Sequence, residues 1–210
     1  VVVTHSHLDH SGMIPYLFKY GYEGPVYCTL PTRDIMSLLQ LDMVKIQRGE
    51  GLDPIYTSEE VKKVVLHTIP IEYGAVTDIT PDVRLTLYNA GHILGSAMAH
   101  FNIGNGLHNL VYTGDIKYGR TNLLEAANTQ FPRVETMIME STYGGRDCVM
   151  AKSNADEYLT EVMQRAFNRG GKIIMPVLGS GRAQEVMIII ERIIREGKVP
   201  KVPVYIDGML

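Results

Sequence analysis

Val1-Val2-Val3-Thr4-His5-Ser6-His7-Leu8-Asp9-His10 begins the chain, an apolar run followed within seven residues by three histidines and an aspartate. The run of valines reads as a buried strand over Val1 to Thr4. The histidine cluster falls in the loop that leaves it, because Ser11-Gly12 is placed to cap a helix over Met13 to Tyr20. On an extended loop alternate side chains point the same way, so His5 and His7 can reach one cation. Asp9 and His10 then turn towards a neighbouring position. Imidazole and carboxylate at this density are the donor set of a hydrolytic divalent-metal site, and few structural roles require it.

The rest of the 210 residues bounds that reading. A content of 45% hydrophobic and 20% charged residues suits an ordinary soluble globular protein, long enough for one large domain and part of another. The chain starts on a strand without an initiator Met and stops just past a strand-like run, so it reads as a fragment cut at both ends. No apolar run approaches the ~20 residues of a membrane span and no signal segment precedes the first strand, which points to the cytoplasm and away from membranes. Cys28 and Cys148 are too few for a disulfide scaffold or a Cys-rich zinc module, so any metal falls to His, Asp and Glu, and both thiols are expected reduced in the core. A formal net charge of −3 argues against a generic basic nucleic-acid binder. Two bound divalent cations would reverse its sign, which leaves an anionic substrate open.

Outward from the cluster, Pro25 to Thr29 read as a short strand. Ile35, Leu38, Leu39, Met43 and Ile46 recur at helical spacing until Gly49 and Gly51. Thr57-Ser58-Glu59-Glu60 fits a capping box opening another helix. From Thr77 to Gly114 the texture is β: Val83, Leu85 and Leu87 alternate, and Asn105-Gly106 marks a hairpin between strands over Ala97–Ile103 and Leu107–Thr113. Beyond Glu140 the pattern becomes helix (Asn154 to Asn168), strand (Lys172 to Leu178), helix (Ala183 to Arg195) and strand (Val202 to Ile206). That alternation predicts βαβ units with a parallel sheet, and a domain boundary near Gly144 to Ser153.

Further candidate residues sit at strand ends. His92 follows the strand ending near Asn89, with Gly91 beside it to let backbone approach a bound group; Asp115 follows Val111-Tyr112-Thr113-Gly114 in the same way. Taken singly, each suits a turn or a cap better than a ligand role. Ser180-Gly181-Arg182, between a strand and a helix, offers free backbone N–H groups and a guanidinium, which makes either a phosphate seat or a plain turn. His67, His100 and His108 lie at a helix end, a strand and a hairpin, away from carboxylates, and read as structural. Asp207 reads as structural too. The stripe Val186, Ile189, Ile190, Ile193 and Ile194 reads as core packing.

Together His5-x-His7-x-Asp9-His10, Gly91-His92-Ile93-Leu94-Gly95-Ser96-Ala97 and Thr113-Gly114-Asp115 resemble the metallo-β-lactamase superfamily. Glu140-Ser141-Thr142-Tyr143-Gly144 and Gly181 to Glu185 make the β-CASP branch the nearer likeness. Within it, the Gly-His-Ile-Leu-Gly-Ser wording is more similar to the endonuclease subunit of the cleavage and polyadenylation specificity factor and its archaeal relatives than to RNase J. The resemblance spans essentially the whole chain. It implies an α/β protein: a partial metallo-β-lactamase αββα sandwich over 1–148, then the beginning of a parallel α/β β-CASP domain over 149–210.

The resemblance also implies roles. His5, His7 and His92 hold one zinc, Asp9 and His10 hold a second, and Asp115 bridges the two Zn2+. Asp9, Asp115 and Glu140 form the catalytic carboxylate set, with Glu140 orienting a general-acid histidine. That histidine and a further zinc ligand lie downstream in the family and are not in this chain. Ser180, Gly181 and Arg182 contact the substrate backbone. The implied activity is hydrolysis of RNA phosphodiester bonds by metal-bound hydroxide in RNA 3′-end processing or decay, by endonuclease or 5′-exonuclease action. Implied partners are single-stranded RNA, flanking KH domains and, at full length, a second copy of the chain. Two other readings remain open at this stage: a small-molecule hydrolase of the same superfamily, and a non-catalytic scaffold subunit of an RNA-processing complex.

Overall fold

The computed structural model describes residues 1–145 and 152–208, with no side chains described at 152–154. The chain divides into two compact units. Val1–Arg120 with Leu124–Glu140 form the first, and Thr121–Leu123 with Ser141–Leu210 the second. The expected domain limit at 148/149 lies outside the described residues. Among the described residues no helix is long and apolar enough to cross a membrane.

In the first unit the elements are α1 (Leu8–Ser11), α2 (Ile14–Lys19), β1 (Val26–Cys28), α3 (Leu30–Gly49), α4 (Ser58–His67), β2 (Thr68–Pro70), β3 (Val76–Thr80), β4 (Val83–Asn89), β5 (Ala97–Ile103), β6 (His108–Tyr112) and β7 (Thr136–Ile138). β1 and β2 pair in parallel, and β3-β4-β5-β6-β7 form a second sheet that is antiparallel except for the β6–β7 pair. Alternation along β1 sorts the core into two layers. Val26 and Cys28 pack with Val3, Ile14, Phe18, Met36 and Val64 against the helices, whereas Tyr27 packs with Ile71, Leu85, Leu87, Ala97 and Ala99 between the sheets. On the far side of the larger sheet, Ile116, Ala127 and Phe131 pack against Tyr88, Ala90 and Met98. Cys28 is buried, and burial pushes its thiol up to about 12, although Arg33 partly offsets this. Cys148 lies outside the described residues.

Several local expectations change. Val1 to Thr4 make no strand of their own; Val2 contributes an isolated parallel bridge to Tyr27, with Val3 N–H donating to Tyr27 O at 2.9 Å. The helix expected over Met13 to Tyr20 is the shorter α2, and Ser11 does not cap it. Ser11 is buried and its hydroxyl donates to Ser6 O at 2.8 Å, while Met13 stands at the N-cap position. In α3 the buried stripe is Thr32, Met36, Gln40 and Val44, while Leu38 and Ile46 face solvent. Apolar periodicity misplaced that face because two of its four residues are polar.

α4 starts as expected. Thr57 N–H and its hydroxyl both donate to Glu60 Oε2, at 2.8 and 2.6 Å, and Glu59 N–H donates to Thr57 Oγ1 at 3.3 Å. The two Thr57 donors hold the Glu60 carboxyl below its ordinary range. Thr57→Ala removes the side-chain half of this cap and is expected to cost about 1 kcal/mol, read as a lower urea midpoint at unchanged slope.

The second unit contains α5 (Lys152–Asn168) and α6 (Arg182–Arg195), tied by an Arg192–Asp156 ion pair. The stripe on α6 is core as expected. Ile190 and Ile193 are buried with Met163 and Val199, and Val186, Ile189 and Ile194 pack against them. Neither 172–178 nor 202–206 enters a strand ladder among the described residues, and Ile174 and Tyr205 are each 91% exposed. β-Rich composition gives a segment only the propensity for a strand; the ladder needs a partner's N–H and C=O groups alongside.

Candidate metal centre

The end of the first extended segment is wedged between two neighbours. Val3 N–H bonds to Tyr27 O, and Thr4 O accepts from Ala97 N–H at 2.7 Å, so the chain leaves the sheet layers at His5 in one direction only. His5 is fully buried and its Nδ1 lies 3.2 Å from Thr4 Oγ1. A proton on Nδ1 then faces the hydroxyl and leaves the Nε2 lone pair pointing into the cluster. Burial first, then the neighbouring His10, His92 and His7, push the His5 ring down to about 2. His5 is therefore a neutral imidazole at physiological pH, the form that binds a cation.

Asp9 and His10 do not sit in a loop, as the sequence reading placed them, but on the single-turn helix α1. That turn is tied to α3 where Gln40 Nε2 donates to Ser11 O at 2.8 Å.

The His92 loop is held from both sides. Ser96 Oγ accepts from His92 N–H at 3.0 Å and from Ile93 N–H at 3.2 Å, while Gly95 O accepts from the hydroxyls of Thr29 and Thr32 at 2.7 and 2.9 Å. The two buried polar residues of α3 thus anchor the α1 turn and the His92 loop, both of which carry ligand-type side chains. Gly91 has φ +67°, and a Cβ there would lie 2.7 to 2.9 Å from Lys117 O, Ala127 N and Glu125 O. The close approach that this glycine allows here is to the chain's own backbone. Asp115 lies three residues beyond β6, where Thr113 N–H still donates to Ile138 O at 3.0 Å.

These supports bring four side chains to one point: His5, His7, His92 and Asp115 each place a donor atom within 4.8 Å of all the others. His7 Nδ1 is 3.2 Å from His5 Nε2 and 3.2 Å from His92 Nε2. Zinc–nitrogen bonds of about 2.0–2.1 Å in a tetrahedron place ligand nitrogens about 3.3 Å apart. One shared proton cannot bridge three converging nitrogens, whereas one cation can accept all three lone pairs. The donor set fits a divalent metal.

Asp115 then divides its carboxylate. Oδ2 faces the three-histidine group, 3.6 Å from His92 Nε2 and 3.8 Å from His5 Nε2, and Oδ1 faces His10 Nε2 at 3.3 Å. His10 Nε2 is also 3.5 Å from Asp9 Oδ2, and Asp9 is largely exposed. His10 Nε2 thus lies between the exposed Asp9 carboxylate and the second oxygen of Asp115, beside the four-residue group.

Glu140 follows β7, with its N–H donating to Thr113 Oγ1 at 3.3 Å and its Oε1 accepting from Ile116 N–H at 2.9 Å. In the second unit, the N–H groups near Ser180, Gly181 and Arg182 are less available than the sequence suggested. Gly181 N–H donates to Gln184 Oε1 at 2.8 Å and Ala183 N–H to Leu178 O at 3.2 Å. Arg182 is exposed. Elsewhere, His100 Nε2 lies 2.9 Å from Arg133 O, His67 packs edge-on to Phe18, His108 begins β6, and Asp207 accepts from Gly208 N–H. Thr4, Thr29, Thr32, Gln40, Ser96 and Thr113 were missed by sequence reasoning as supports. Only Thr4, Ser96 and Thr113 carried a signal, through adjacency to ligand-type residues.

Residues 1–142 match the metallo-beta-lactamase superfamily domain. The chain belongs to the metallo-β-lactamase superfamily. It is 58% identical over 211 residues to the transcription termination factor FttA of Methanothermobacter thermautotrophicus, 54% identical over 212 residues to that of Pyrococcus horikoshii, and 52% identical over 211 residues to that of Lokiarchaeum sp.. Each match covers 100% of this chain but only 32–33% of the relative, so the chain spans about a third of the length of these relatives. With these relatives, the motifs around His92, Asp115 and Glu140 place it in the β-CASP branch of the superfamily.

Proposed function

We propose that this chain carries the metal-binding part of a zinc-dependent ribonuclease that hydrolyses RNA phosphodiester bonds. The division of the Asp115 carboxylate between a three-histidine group and the Asp9/His10 group carries the reading, because a single cation needs only one of its oxygens. Zinc is the metal of choice for a donor set of imidazoles and carboxylates. A pair of such ions supplies an activated water and neutralises the oxygens of a phosphoryl group. His5, His7 and His92 hold the first ion, Asp9 and His10 the second, and Asp115 both. His5 anchors the first group from the core, and the exposure of Asp9 leaves the second open towards a substrate.

The match to termination factors, which act on transcription, supports RNA as the polymer. In this reading 1–148 belong to the metallo-β-lactamase domain and 149–210 begin a β-CASP domain, where Ser180, Gly181 and Arg182 contact the RNA backbone through Arg182 and the N–H groups not already engaged. With a net charge of −3 the chain is a poor polyanion binder by itself. Most affinity for single-stranded RNA then falls to other segments of the full protein, KH domains among them.

The ends of the RNA products test the proposal. A single-stranded RNA, labelled at its 5′ end in one sample and at its 3′ end in another and incubated with the Zn2+-loaded full-length protein, is expected to yield 3′-hydroxyl and 5′-phosphate ends. A 2′,3′-cyclic phosphate would mean attack by the ribose hydroxyl and would overturn it.

A further inference from the structure

Glu140 stands in the carboxylate set, but its carboxylate is already engaged on the backbone beside Asp115. Past the last paired residues of β6 and β7 the two segments stay joined by three bonds. Thr113 N–H donates to Ile138 O at 3.0 Å, Glu140 N–H to Thr113 Oγ1 at 3.3 Å, and Ile116 N–H to Glu140 Oε1 at 2.9 Å. The first two fix the residue that precedes Gly114; the third fixes the residue that follows Asp115. Gly114 itself packs close against Thr4, whose Oγ1 an added Cβ would meet at 2.6 Å. Asp115 is thus clamped before and after, and the orientation of its carboxylate follows from the clamp. That orientation decides whether one oxygen can face His5 and His92 while the other faces His10.

We infer that Glu140 is a positioning residue for the metal centre. Its carboxylate accepts the Ile116 N–H and so aims Asp115 at both donor groups. The inference rests on the metal-hydrolase reading above. It assigns Glu140 a task within 1–145 that is separate from orienting an acid elsewhere in the protein. What the task needs is an acceptor oxygen at Oε1, not a negative charge. Glutamine supplies that oxygen and alanine does not.

The test uses metal alone. Zn2+ affinity is measured by competition with a chromophoric chelator, and ligand geometry by the visible spectrum of the Co2+-loaded protein, for the parent, Glu140→Gln and Glu140→Ala. Far-UV circular dichroism and melting curves report the fold of each. Loss of a hydrogen-bonding support behind a metal ligand costs about 10-fold or more in affinity. Glu140→Ala is therefore expected to bind Zn2+ about 10-fold more weakly with a shifted Co2+ spectrum, and Glu140→Gln to stay within about threefold of the parent. A Glu140→Ala protein matching the parent in affinity and spectrum overturns the inference, and so does a Glu140→Gln protein impaired as badly as Glu140→Ala. A parent chain that takes up no Zn2+ removes the metal centre itself, a failure of the broader reading that is seen before either variant is examined.

Discussion

Asp115→Ala is expected to strip the Zn2+-loaded protein of its weaker ion, to loosen the other by about 10-fold or more, and to lower RNA cleavage by about a thousandfold. The unequal loss follows from the geometry. His5, His7 and His92 still converge without Asp115, with ring nitrogens 3.2 Å apart. They keep three donors for the first ion. Asp9 and His10 keep two, and Asp9 is on the open side of the group. A site that depends on several kcal/mol of charge stabilisation from paired metals loses about 1.4 kcal/mol for each tenfold in rate, which makes a thousandfold a modest expectation. The carboxylate is 31% exposed and no apolar cluster includes it, so the variant should fold. Metal content after dialysis, read by elemental analysis, and single-turnover cleavage of a labelled RNA check the two halves separately. Retention of both ions at the parent rate would remove Asp115 from the centre. His92→Ala should invert the order of loss, weakening the three-histidine ion first.

What the sequence made legible is local. His5, His7, Asp9 and His10 lie within six residues, so their chemistry could be read from spacing without knowing how the chain folds. The capping box at Thr57 and Glu60 and the hairpin at Asn105 were readable for the same reason. His92 and Asp115 are weak signals alone, and only their place at strand ends beside the first cluster gave them meaning. The supports are another matter. Thr32 and Gln40 look like solvent-facing positions of α3 because polar residues usually are; they are buried because Gly95 O and Ser11 O need donors there. A buried polar residue is decided by a partner far away in the chain, and one sequence holds no record of the pairing. The segments 172–178 and 202–206 failed in the converse way. Their β-branched content is real, but a strand is a relation between two segments, and composition describes only one.

Gly91→Ala, whose Cβ would lie 2.7 Å from Lys117 O, is expected to damage the centre without touching a donor atom and to cost the protein about 2 to 4 kcal/mol. Two terms add. A residue with a Cβ held at φ +67° is strained by about 1–2 kcal/mol. The Cβ also enters the space occupied by Lys117 O, Glu125 O and Ala127 N, all of them backbone atoms that cannot rotate aside. Those contacts are structural: Lys117 N–H donates to Ala90 O at 2.9 Å and Ala127 N–H to Lys117 O at 3.0 Å, so the 117–127 segment is laced to the turn at Gly91. Pushing the two apart moves His92, the next residue, and loosens the loop between Asp115 and Phe131. Gly49→Ala is the control. It ends α3 with nothing within 4 Å of the added methyl, and alanine is the better helix former by about 1 kcal/mol, so that variant should melt at or above the parent temperature. Melting curves with and without Zn2+ decide the matter. Gly91→Ala should melt several degrees lower and gain less from Zn2+ than the parent does, because a displaced His92 leaves the first ion with a poorer third donor. Equal melting temperatures and equal Zn2+ stabilisation for Gly91→Ala and the parent would mean that the 117–127 segment yields freely, and that the position of His92 is set by Ser96 alone.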